Sequence, residues 1–127
     1  MEEWLFRGKS LETGKWLIGS LFNDGGEDYI IPNELTAALE YEDYQVDLNT
    51  IQLYSGFRDK TGKRVFVGDI IKDVERKIYW TCVWDDVYKG IGFVRQNGPV
   101  EHYDKEEIGK LVIIGNVLDV EITLNLV

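Results

Sequence analysis

The chain has 127 residues, 44% of them hydrophobic and 13% aromatic, with a formal net charge of −9. That length suits one domain, or one compact domain with an appended segment, and the apolar and aromatic content argues against a disordered chain. The single cysteine, Cys82, excludes an intramolecular disulfide framework, and no apolar run approaches the roughly 18 residues that a membrane span needs.

The charge is unevenly spread. Residues 1–50 carry three basic and eleven acidic side chains, whereas residues 51–77 carry seven basic and four acidic. Residues 78–127 return to an acidic balance, with four basic and eight acidic. The opening "MEEWLFRGKS" lacks the basic and apolar regions of a secretory signal, so a cytoplasmic protein is expected.

Taken in chain order, period-two alternation dominates. In "KWLIGSLF", Trp16, Ile18, Ser20 and Phe22 share one face, and Leu17, Gly19 and Leu21 share the other. "NDGGED" at 23–28 reads as a hairpin turn, because Asn, Asp and Gly tolerate positive φ. Pro32 and Asn33 precede "ELTAALEYE", where Asn33 caps one short helix with Leu35, Ala38 and Leu39 as its apolar stripe. The acid-rich run from Glu40 to Asp47 then serves as a connector. "DKTGK" at 59–63 fits a type I turn followed by Gly62 in the left-handed region, and "DIIKDV" starts another strand. "KIYWTCVWDD" sets Ile78, Trp80, Cys82 and Trp84 against Tyr79, Thr81 and Val83, and "GIGFVRQ" leads into the turn "QNGP" at 96–99. "LVIIGNVL" reads as a buried strand with a Gly-Asn break. In "VEITLNLV", Val120, Ile122, Leu124 and Leu126 alternate with polar residues, an amphipathic strand that needs a partner edge. The pattern predicts a mainly β fold: residues 1–50 as an N-terminal β segment with one short helix, and residues 51–127 as a small SH3-like barrel with a C-terminal strand.

For chemistry the chain offers little. Cys82 and His102 are its only cysteine and histidine, so no Cys/His metal set exists, and "NDGGED" lacks the full calcium-loop spacing. Cys82 falls on an apolar strand face between tryptophans, where a thiol is an inert filler, and His102 in "VEHYDKEE" reads as a surface-loop histidine. There is no nucleophile elbow, phosphate loop or dinucleotide fingerprint. Neither an enzyme nor a cofactor is expected. The candidate site is a partner-binding one: Arg58, Lys60, Lys63 and Arg64 cluster on one turn, near Tyr54, Phe57 and Phe66. Basic groups interleaved with aromatics suit phosphate contact plus base stacking, and they are equally the usual occupants of a hairpin tip.

Three segments carry a family resemblance: "FRGKSLETGKWLIGSL", "TIQLYSGFRDKTGKRVFVGDIIK" and "LVIIGNV". In that order they resemble the YopX family of phage and prophage proteins, from about Phe6 to Val117. The chain departs from the family pattern at Ser55-Gly56-Phe57-Arg58, at Val67, and in its final "DVEITLNLV". The resemblance implies a small β-barrel protein of a bacterial phage or prophage that forms homo-oligomers, and it brings no catalytic residues. The expected function is therefore that of a non-enzymatic accessory module, contacting a host or phage protein in the host cytoplasm. Nucleic-acid binding through residues 58–64 is the first alternative. The second is that the acidic surface mimics DNA and inhibits a host protein.

Overall fold

The computed structural model describes residues 4–32, 41–95 and 98–119. Among them ten strands occur in the order β1 (Phe6–Lys9), β2 (Trp16–Asp24), β3 (Glu27–Ile31), β4 (Gln52–Arg58), β5 (Arg64–Phe66), β6 (Asp69–Asp73), β7 (Ile78–Asp85), β8 (Gly90–Val94), β9 (Val100–Glu101) and β10 (Val112–Asn116). Short 3-10 turns cover Tyr41–Tyr44 and Leu48–Thr50, and one α-helix, α1, covers Lys105–Ile108. The fold is mainly β, as the alternation predicts, and its strands pair antiparallel. The helix expected after Asn33, the turn residues Gln96 and Asn97, and the strand from Val120 to Val127 lie outside the described residues.

The chain divides into two compact units, Met1–Tyr54 and Ser55–Val127, and the division falls within β4. In the first unit, β2 pairs with both β1 and β3. The β2–β3 hairpin closes at Asp24↔Glu27 through Gly25 and Gly26, both at positive φ (63° and 85°). An L-residue resists that conformation, so the "DGGE" turn follows directly from its glycines. Gly19 meets a different need: a Cβ there would run into the Ile31 carbonyl. Ile30 and Val46 are buried on the inner side, and Arg7 donates from Nε and Nη2 to Gln52 Oε1 at 3.0 and 2.8 Å.

The second unit holds a five-stranded sheet in the order β10-β6-β7-β8-β9. Its core is Val65, Ile71, Trp80, Cys82, Phe93, Ile108 and Leu111, with Phe57 and Tyr103 packed against it. The period-two reading of β7 holds, since Trp80 and Cys82 face the core, while Trp84 at the strand end is 40% exposed. The Gly-Asn break in β10 is a register shift between Ile113 and Gly115. α1 arises where the sequence suggested only a loop. A four-residue helix is too short to show a 3.6 period, but it carries a capping box: Asp104 Oδ1 accepts from Glu107 N at 2.8 Å, and Glu107 Oε1 accepts from Asp104 N at 3.2 Å. Ile108, fully buried, anchors it.

Three turns of this unit share one construction. Asp59, Asp73 and Asp85 each end or follow a strand, and the Oδ1 of each accepts amide N–H groups from residues just ahead. Each turn then closes through a residue in the left-handed region: Gly62 (φ 86°), Lys77 (57°) and Lys89 (62°). The aspartate replaces a backbone acceptor, which is why it favours turn starts. Lysine tolerates that φ only at a cost of the order of 1 kcal/mol, so Lys77→Gly and Lys89→Gly should each stabilise the fold by about 0.5–1 kcal/mol. Chemical denaturation of each variant checks this, and the expected result is a raised midpoint with an unchanged slope.

Candidate functional site

The basic cluster sits where β4 hands over to β5. Arg58 ends β4, Lys60 and Lys63 lie in the turn, and Arg64 begins β5; all four are exposed. At their centre is Asp59, only 5% exposed. Its Oδ1 accepts from Thr61 N at 2.9 Å, Thr61 Oγ1 at 2.7 Å and Lys63 N at 3.0 Å. Its Oδ2 reaches the far edge of the sheet and accepts from Ile113 N at 3.0 Å. The backbone reinforces the same join, with Asp59 N donating to Lys63 O and Lys60 N donating to Leu111 O, each at 2.8 Å. Arg58 adds a bond from Nη1 to the Gly62 carbonyl at 2.8 Å. The four cations are therefore presented on a fixed frame. The sequence brings Arg58, Lys60, Lys63 and Arg64 together by adjacency, and the structure keeps them together.

Two of the three aromatics expected beside this cluster, Phe57 and Phe66, are used differently. Phe66 is 1% exposed, and Phe57 packs edge-on against Phe93 with ring centroids 5.5 Å apart. These two rings belong to the core, so they are not displayed as a stacking platform.

The second half of the long central motif is equally inward. Asp69, 2% exposed, accepts from Phe66 N through Oδ2 at 2.8 Å and from Asn116 Nδ2 through Oδ1 at 2.9 Å. Asn116 Oδ1 in turn accepts from Leu118 N at 3.0 Å. Gly68, at φ 103°, donates its N–H to Cys82 O and accepts from Val117 N. "GD" at 68–69 and "GN" at 115–116 thus form one buried polar join, which satisfies groups that would otherwise cost several kcal/mol. Sequence reasoning missed this pairing because the partners are far apart along the chain.

The remaining candidates separate. Cys82 is fully buried on the core face of β7, whereas His102 lies on the other face, its Nε2 3.0 Å from Asp85 Oδ2 and its ring 4.1 Å from that of Tyr88. Burial pushes the Cys82 thiol up, and the Asp69 carboxylate adds to the effect against a weak opposing bond from Ser55, to about 12. It should therefore resist alkylation at pH 8 in the native protein and react only in denaturant. A thiol titration with and without denaturant reads this, and rapid native reaction would contradict it.

Burial also pushes the Asp59 carboxyl up, but the bonds from Ile113, Thr61 and Lys63 outweigh it and hold the group below the ordinary carboxylate range. A lowered folded-state value contributes stability that is present above the unfolded value of about 3.9 and is lost as pH falls through the folded one. Asp59→Ala should cost about 3 kcal/mol at pH 7, because it leaves several amides unpaired. Asp59→Asn should show a smaller loss of stability between pH 5 and pH 2 than the parent protein. Urea midpoints measured across that range test both.

Among the described residues no helix is long and apolar enough to cross a membrane. No curated protein sequence matches the chain. Residues 5–120 match the family model described as YopX protein, a match that takes in the "FRGK" strand, the Asp59 turn and the Asp69–Asn116 join, and the chain belongs to the YopX family.

Proposed function

We propose that this protein is a non-catalytic accessory module of a phage or prophage, working in the host cytoplasm by contact with another protein through the exposed turn that carries Arg58, Lys60, Lys63 and Arg64. The observation that carries this reading is the division of labour within the motif. Asp59 and Asp69 are spent on internal hydrogen bonds, while the four cations point outward from a pinned turn. A turn whose backbone is already fixed costs less to order on binding than a mobile loop. Charge-reversed Lys60→Glu/Lys63→Glu protein should keep its melting temperature and lose its partners in affinity capture from a nuclease-treated lysate of the induced host. Capture of the same partners by the variant would contradict the reading.

Nucleic-acid binding is the second reading, favoured by the same four cations. It is weakened by the burial of Phe66 and the packing of Phe57 on Phe93, which take two of the three nearby aromatics out of a stacking role, and by the net charge of −9. DNA mimicry needs carboxylates in outward rows. Asp59 and Asp69 are buried, and Asp73, Asp85 and Asp104 serve turns and a helix cap, so these five give it little support. We also propose self-association through the amphipathic segment Val120–Val127, whose alternating face needs an edge to pair with. Light scattering of protein ending at Asp119 checks this: a fall in mass supports it, and an unchanged mass contradicts it.

A further inference from the structure

Beside the basic turn lies a cleft of about 320 Å³ lined by Lys60, Asp73, Val74, Glu75, Gly109 and Lys110. Each of its walls is held in place. Lys60 is fixed by its N–H to the Leu111 carbonyl at 2.8 Å, and Gly109 by its own to the Lys105 carbonyl at 2.9 Å. On the other side, Asp73 accepts from Glu75 N and Arg76 N at 3.1 Å each, and Lys77 N donates to Asp73 O at 2.8 Å. The volume is at the small end of the range that holds ligands, about 300–1,000 Å³, and the shape does not depend on a loop closing.

The charges in it are unequal in what they have left to offer. Asp73 is committed to its own turn and to Arg76, whose Nε lies 2.7 Å from Asp73 Oδ2. Among the described residues neither Lys60 nor Lys110 has an ion pair, and both are exposed. Val74, 60% exposed, supplies an apolar surface in the same lining. Two ammonium groups, one aliphatic patch and one remaining carboxylate fit a side-chain sequence better than a phosphate chain. A polyphosphate carries charge on every unit and has no apolar part for Val74, whereas a peptide can set one acidic side chain on the lysines and an aliphatic neighbour on Val74.

We infer that this cleft is a docking site for an extended acidic peptide of a partner protein, in which an Asp or Glu side chain bridges Lys60 and Lys110 and an adjacent aliphatic residue packs on Val74. The inference rests on the turn being a protein contact and names the chemistry of that partner. It also extends the contact to Lys110, which lies far from the turn in sequence and is brought to it by the hydrogen bonds that Asp59 and Lys60 make to the start of β10.

The test uses the full chain and a random dodecapeptide library. Selection on the parent protein should enrich Asp or Glu next to Val, Leu or Ile. A selected peptide should bind at least about tenfold more weakly to Lys110→Glu and to Lys60→Glu protein, and its Gln-substituted version should bind the parent about tenfold more weakly than the acidic peptide does. Both lysine side chains are exposed, so thermal melts of the variants should match the parent. Enrichment of basic or uncharged peptides, or no enrichment, overturns the inference. So does displacement of the selected peptide by an oligothymidylate of similar length. Sensitivity to Lys63→Glu without sensitivity to Lys110→Glu also overturns it, while leaving the turn itself as a protein contact.

Discussion

A single carboxylate holds the second unit's turn and sheet edge in one piece. Asp59 accepts hydrogen bonds on both oxygens, from Thr61 and Lys63 within its own turn and from Ile113 on the last strand of the sheet. Backbone amides at a sheet edge and in a tight turn need acceptors, and burying them unpaired would cost about 1–3 kcal/mol each. An ionised carboxylate in a nearly buried position needs donors for the same reason. Each requirement meets the other. The exposed cations on either side then inherit a fixed geometry from a residue that is itself inaccessible.

A second join of the same kind closes the sheet's other end, where Asp69 is bonded to Asn116 and to the amide of Phe66. The two aspartates stand ten residues apart within the most motif-like stretch of the chain, between Tyr54 and Asp73. A motif of this sort invites a catalytic interpretation. Its polar residues are accounted for by folding, and what faces solvent is a set of cations.

Much of this was legible in the residues. The alternation in "KIYWTCVWDD" and the Asp-Gly-Gly-Glu and Asp-Lys-Thr-Gly turns specify strands and hairpins locally, by side-chain period and by tolerance of positive φ. The turn that Asp59 opens was readable, though the reach of its second carboxylate oxygen to Ile113 was not, because that bond depends on tertiary approach. The pairing of Asp69 with Asn116 and the meeting of Lys60 with Lys110 were hidden for the same reason. α1 escaped a periodicity argument but was spelled out by Asp104 and Glu107 as a capping box. Phe57 and Phe66 misled in the opposite direction: their nearness to the basic residues in sequence suggested a mixed surface, and strand alternation sends them to the core.

The central claim is that Asp59 makes the basic turn a rigid part of the sheet. Amide hydrogen exchange at Thr61, Lys63 and Ile113 tests it most directly. The account predicts protection at these three amides comparable to that of core amides in β6 and β7, with loss at all three together in Asp59→Ala protein under conditions where it stays folded. Exchange at the rate of an exposed loop in the parent protein would contradict it.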